Sequence, residues 1–221
     1  SEVLLNLLSS PNITSKQQVY RQYDHQVQNN TVISPGGDAA VIRVKGTRKG
    51  LALTTDGNGR YCYLNPREGG AIAVAEAARN LVCVGAEPIA ITNGLNLGNP
   101  ERSEVYGQME DVIKGMASAA RVLKIPVISG NVSLYNETRG EPIYPTPIVG
   151  MLGLLPNLAK RCTHGFKDSG DLVFLLGGDS YSTNLGGSEY LERIHGKVLG
   201  KPSIDMRLDR GVQRCLLAGI R

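Results

Sequence analysis

The chain has 221 residues, 41% of them apolar, with no Trp, two Phe and 27 Gly. That length fits one large domain or two small ones, with roughly 70% of the unfolded surface buried, and its core must come from Ala, Val, Ile and Leu. A formal net charge of +4, without a Lys/Arg cluster or interleaved aromatics, suits small anionic substrates and gives no support for nucleic acid. No apolar run approaches the about 18–20 residues that span a membrane.

Residues 1–35 read as a helical lead-in. Residues 2–8 form a short apolar helix ended by Ser9-Ser10-Pro11. Such a helix needs a surface to pack on, so chain upstream of it is expected. Ser15 is placed to cap a second helix reaching about Tyr23. Asp24-His25 reads either as an acid–base pair or as a hydrogen-bonded helix end.

Residues 36–156 read as one α/β domain. A Pro-Gly-Gly turn lies within 32–37, and 39–44 and 51–55 are two strands of a hairpin. The hairpin runs into Asp56-Gly57-Asn58-Gly59. A carboxylate beside glycines at a strand end can hold Mg²⁺ on a phosphate; the same residues are ordinary turn chemistry. Residues 71–84 are apolar nearly all round and predict a buried helix. Gly69-Gly70 ahead of it would leave free N–H groups at the helix start, a possible anion site.

Residues 89–92 predict a strand closed by Asn93-Gly94-Leu95-Asn96. Asn99 is then a good N-cap for a helix from Pro100 to about Lys124. Val105, Met109, Val112, Ile113, Met116, Ala120 and Leu123 give that helix one apolar face. The run 125–129 predicts a buried strand, followed by Gly130-Asn131-Val132-Ser133-Leu134-Tyr135-Asn136-Glu137. Polar groups at the carboxyl end of a buried strand are where α/β proteins place ligands. Gly130 permits close backbone approach, Asn131 offers a neutral oxygen for a hard cation, and Ser133 offers a hydroxyl to a phosphate or carbonyl. A polar turn satisfying its own backbone is the other reading. A loop at 142–147 precedes a long apolar strand at 148–155.

Residues 157–221 read as the start of a second domain. A strand is expected at 171–176, followed by Gly177-Gly178-Asp179. Gly186-Gly187 precedes a helix from Ser188 to about Ile194, and Asp209 is placed to cap a last helix at 210–217. One strand and two helices do not make a layered domain, so a chain truncated at both ends is expected. Cys62, Cys83, Cys162 and Cys215 lack metal-ligand spacing and read as buried thiols in a reducing cytosol. The fold class expected is α/β, a mixed sheet with helices 71–84 and 100–124 on one face.

Read together, "TTDGNGRYCYLNPREGG", "ITNGLNLGNPE", "ISGNVSLYNE", "PTPIVGMLG" and "LGGSEYL" resemble the synthetase subunit of phosphoribosylformylglycinamidine synthase. That family is internally duplicated, each half carrying an aminoimidazole-ribonucleotide-synthetase-like N-domain and C-domain. The resemblance places this chain in the second half, as its N-domain and the start of its C-domain. It implies a cytoplasmic ligase that uses ATP, Mg²⁺ and glutamine-derived ammonia to convert formylglycinamide ribonucleotide to formylglycinamidine ribonucleotide in purine biosynthesis. ATP would phosphorylate the amide oxygen, and ammonia would displace the phosphate.

The resemblance implies ATP contacts at Asn93 and Gly130, Mg²⁺ binding at Asn131 and ribonucleotide binding at Ser133. The family often has Asp at the position of Asn93, and its catalytic histidines lie in the first half, so no catalytic residue is carried over, His25 included. Implied partners are the missing first half, a glutaminase subunit and a small accessory subunit. A homodimer is expected when this piece stands alone. Two other readings are a non-catalytic nucleotide-binding and assembly module of the same enzyme, using Asp56 and the 186–188 loop, and a relative that phosphorylates another oxygen. The "GNVSLYNE" match argues against the last.

Overall fold

The computed structural model describes residues 1–177 and 185–221. A mixed sheet of six strands forms the centre. It is built from β1 (Thr31–Ile33), β2 (Ala40–Arg43), β3 (Gly50–Asp56), β4 (Glu87–Asn96), β5 (Val127–Ser133) and β8 (Thr146–Leu155), in the order β1-β2-β3-β8-β4-β5. The pair β6 (Glu137–Thr138) and β7 (Glu141–Pro142) forms a small separate ribbon. Among the described residues, β4 and β5 are the one strand pair that runs parallel; β8 sits antiparallel between β3 and β4.

Two long helices, α4 (Pro66–Cys83) and α5 (Ser103–Leu123), cover one face. Val74 and Leu81 of α4 and Val112 and Met116 of α5 meet Ile91, Val149 and Met151 of the sheet in one buried cluster. The opposite face is open. Leu53, Ile128 and Ile148 are exposed there, and a groove of about 400 Å³ runs between Leu53, Ala90, Thr92, Ile128 and Leu152.

The α4 helix begins earlier than residue 71. Asn65 caps it by accepting from the Glu68 N–H, and Pro66 opens it, so Gly69 and Gly70 lie inside the helix instead of offering N–H groups at its start. Their role is spacing. A Cβ on Gly70 would lie 2.5 Å from the Val112 carbonyl oxygen of α5, and one on Gly115 of α5 would overlap the Arg67 carbonyl oxygen of α4.

Other boundaries also move. The segment 32–37 contains most of β1, which pairs with β2. After the Asp56-Gly57-Asn58-Gly59 stretch read as turn chemistry, the structure adds a short helix, α3 (Gly59–Leu64), capped by Asn58. Asn99 accepts from Glu101 N–H and makes a turn ahead of α5; the helix itself starts at Ser103, after Arg102. The terminal helix α7 (Met206–Ile220) is capped by Asp205. Asp209, one turn inside, instead accepts from Arg79 of α4 at 2.6 Å.

The strand expected at 171–176 is irregular, and Leu172, Val173, Phe174 and Leu175 are exposed. These residues have no strand partner among the described residues to cover them. Gly178 and Asp179, singled out in the sequence, lie outside the described residues. Of the cysteines only Cys62 is buried, its thiol pushed up to about 12 by that burial. Cys83 and Cys162 are half-exposed and Cys215 is exposed. Asp24 and His25 make separate local bonds, to Gln26 N–H and the Tyr23 carbonyl, in a turn after the helix that ends at Tyr20.

Candidate functional site: the β4–β5 edge

The central polar stretch sits in a strand. β5 begins at Val127 and runs through Gly130, Asn131 and Ser133 to the end of the strand. Nor is the strand buried. It is the sheet edge, with Val127, Ile128 and Val132 exposed. The apolar run that predicted burial is instead apolar on an open flank.

Register brings the candidate residues together in two groups. Asn93 lies beside Gly130, Gly94 beside Asn131, and Asn96 beside Ser133. Side chains alternate across a sheet. Asn93 shares its face with Ile91 and Leu95, both buried under the helices. Asn131 and Ser133 therefore project to the open face.

Gly130 is required by Asn93. A Cβ there would overlap Asn93 Oδ1 and lie 2.9 Å from the Asn93 carbonyl oxygen. The two residues form one unit on the helix side of the edge. On the open side, a Cβ at Gly94 would meet nothing within 4 Å, so there is free space beside Asn131. Thr92 and Ser129 continue this polar row, with Ser129 Oγ donating to Thr92 Oγ1 at 2.7 Å.

Asn136 is the residue that holds the end of β5. Its Nδ2 donates to the Leu97 carbonyl at 3.0 Å and to the Ser133 carbonyl at 2.9 Å. It also reaches the Ser133 hydroxyl at 3.1 Å. Ser133 is thus oriented from outside the strand. An Asn three residues after a Ser is the only hint of this that the sequence carries.

Asp56 lies elsewhere, at the end of β3. It is opposite Val149 of β8, and Asn93 pairs with that same Val149 from the far side. Its carboxylate accepts from Asn80 at 2.7 Å and Thr54 at 2.9 Å. Burial raises its carboxyl above the ordinary range, opposed by those two hydrogen bonds and the Arg79 charge. Glu76 is raised too, by burial and then by the nearby Asp56 charge.

The 186–188 loop spends N–H groups internally. Gly187 donates to the Leu199 carbonyl at 3.0 Å and Ser188 to the Leu185 carbonyl at 2.9 Å. Ser188 then caps α6 (Glu189–His195) through Leu191 N–H.

The residue that sequence reasoning missed most completely is Arg60 of α3. Its guanidinium bridges Glu189 and Glu192 of α6, and both Arg60 and Glu189 are nearly buried. Glu189 also accepts from Ser10 and from Asn12, the latter at 3.1 Å. Nothing in local spacing links residues about 130 positions apart. Among the described residues, no group of three or more His, Cys, Asp or Glu side chains is placed to hold a metal ion.

A mixed sheet covered by two helices on one face and open on the other, with a polar row along a parallel strand pair, defines an α/β domain of the layered class. The chain belongs to the AIR synthase related protein family: the model of that family's N-terminal domain matches residues 36–155. A relative, the phosphoribosylformylglycinamidine synthase subunit PurL of Moorella thermoacetica, is 60% identical over 212 residues. That match covers 96% of this chain and 29% of the relative, so the chain spans under a third of the relative's length. The structure of PurLQS from Thermotoga maritima is similar at a TM-score of 0.63 and 40% identity, over 67% of this chain and 25% of that one. T. maritima PurL complexed with ATP has a TM-score of 0.59 at 38% identity, over 67% of this chain and 24% of that one. Its complex with FGAR has a TM-score of 0.58 at 41% identity, over 66% and 23%.

Proposed function

We propose that this chain is part of an ATP-dependent C–N ligase that converts formylglycinamide ribonucleotide to formylglycinamidine ribonucleotide with glutamine-derived ammonia, and that the piece alone is inactive. The observation that carries this reading is the β4–β5 edge. Its register puts Asn93 against Gly130 and leaves Asn131 and Ser133 on an open face beside free space. The similarity to PurL proteins solved with ATP and with FGAR supplies the substrates.

In this reading Asn93 and Gly130 contact ATP. Asn131 gives one neutral oxygen to Mg²⁺, with the other ligands coming from phosphate, water or the rest of the protein. Bound there, Mg²⁺ would neutralise charge on the transferred phosphoryl group. Ser133, oriented by Asn136, donates to the ribonucleotide. Asn at position 93 keeps an acceptor oxygen without adding a charge to the metal's surroundings.

We assign residues 1–35 to a lead-in, 36–156 to the N-domain and 157–221 to the beginning of a C-domain. The exposed apolar residues at 172–175 fit an element whose sheet partners lie in the rest of that domain. The open sheet face, with Leu53, Ile128 and Ile148, is covered in the whole enzyme by the missing first half. A glutaminase subunit and a small accessory subunit complete a cytoplasmic assembly. Standing alone, the chain covers that face with a second copy of itself. Light scattering at high concentration is expected to give twice the monomer mass, and Ile128→Asp to halve it; a monodisperse wild-type monomer would count against this cover.

The decisive experiment measures ammonium-dependent ATP hydrolysis on formylglycinamide ribonucleotide, with this segment restored within the whole synthetase. Loss of one charge-stabilising group at a reacting centre costs roughly a hundredfold in rate. Asn131→Ala is expected to lower kcat by about that factor, with the circular dichroism spectrum unchanged. Ser133→Ala is expected to act chiefly on KM for the ribonucleotide. Wild-type kinetics in both variants would mean that this half only scaffolds.

A further inference from the structure

The end of α4 and the segment after β8 run in backbone contact. Cys83 is the last residue of α4, and Val84 follows as its C-cap. The Val84 carbonyl accepts from the Cys162 N–H at 3.2 Å. Gly85, at φ +88°, then turns the chain against the same segment. A Cβ there would lie 2.8 Å from the Lys160 carbonyl oxygen and 3.7 Å from Arg161 Cα. Val84 and Gly85, the two residues after Cys83, therefore lie against residues 160–162. A disulfide needs Cα atoms within about 7 Å, and a backbone N–H···O bond from Cys162 to the residue after Cys83 brings the two chains to that scale.

Both cysteines are free and partly exposed, whereas Cys62 is buried. We propose that Cys83 and Cys162 are a dithiol that a low-molecular-weight disulfide oxidises to an intramolecular disulfide, fastening the segment after β8 to the end of α4.

The exchange proceeds in two displacements. The Cys162 thiolate attacks one sulfur of the reagent and releases the first small thiolate. Cys83 gives its proton to solvent, and its thiolate attacks the Cys162 sulfur and expels the second. Two protein thiols are oxidised by two electrons, and one small disulfide is reduced to two thiols. Burial and then the Asp38 charge hold the Cys83 thiol up, against Arg79, which suits Cys83 to the second displacement. In a reducing compartment the pair rests as thiols. The bond would cross the end of the family-matched region at residue 155.

The test treats the intact protein with oxidised glutathione, alkylates the remaining thiols and maps the peptides by mass. The expected result is one peptide pair joining Cys83 to Cys162. Alkylation at both positions should fall at least tenfold (our threshold for a completed exchange) and be restored by dithiothreitol. Cys83→Ser should trap a stable glutathione adduct on Cys162. Three wild-type results would each overturn the proposal: glutathione retained on Cys162 with Cys83 still open to alkylation, linkage of either residue to another cysteine, or no reaction at either position.

Discussion

Arg60→Ala is expected to destabilise the chain by about 3–5 kcal/mol, the cost of removing one partner from a buried ion pair. Arg60 and Glu189 retain only 13% and 11% of their side-chain exposure. Alanine would leave Glu189 buried, with Ser10 and Asn12 as its remaining donors and no counter-charge. The loss falls on a junction of three segments: Ser10 and Asn12 of the lead-in, α3, and α6. Limited proteolysis should accordingly show faster cleavage in residues 12–30, together with a lower Tm. Arg60→Lys should rescue little, because an ammonium lacks the planar fork that reaches both Glu189 and Glu192.

The same junction sets an acid limit. Burial pushes the Glu189 carboxyl up, but hydrogen bonds from Ser10, Arg60 and Asn12 and the Arg60 charge outweigh it and hold it at about 2. Its folded value lies below the ordinary value of 4.5, so the unfolded chain takes up the proton first as pH falls. The contribution is complete above about 4.5 and is lost as pH falls towards about 2. Acid titration of Glu189→Gln, followed by far-UV circular dichroism, should show a flatter profile across that window. An identical profile would mean that the cluster contributes nothing to acid stability.

Gly115→Ala should destabilise the fold even though it improves helix propensity. Replacing a mid-helix Gly by Ala gains about 1 kcal/mol in propensity. Against that, the added Cβ would overlap the Arg67 carbonyl oxygen of α4. The obstacle is backbone, so no rotamer change relieves it and the helices must separate. Overpacking of this kind costs up to about 3 kcal/mol and occasionally more. Separation also loosens Val112 and Met116, which are buried on either side of Gly115. The steric term wins, and thermal unfolding should show a Tm several degrees lower. A Tm at or above wild type would mean that the α4–α5 contact yields more easily than its geometry indicates.

Local chemistry read correctly where it is self-contained. The β2–β3 hairpin, the apolar face of α5 apart from the exposed Ile113, the long strand β8 and the helix α6 follow from alternation and periodicity over a few residues. The sequence by itself also determined the family resemblance, because motifs such as "ISGNVSLYNE" are long and in order. Its errors came from properties that only neighbours decide. β5 is as apolar as a buried strand, but apolar content cannot tell a central strand from an edge with an open flank. Gly69-Gly70 looks like a helix start because glycine breaks helices in isolation; Asn65 and Pro66 start α4 earlier, and the glycines serve its contact with α5. Residues 171–176 have strand composition, but a strand exists only through partners, and none lies among the described residues. Asp209 suits a cap and serves instead as Arg79's partner. Tertiary structure alone decided which face Asn131 and Ser133 present, that Gly130 makes room for Asn93, and that Arg60 meets Glu189. Each depends on register or on contacts between residues far apart in the chain, and neither is encoded in the spacing of nearby residues.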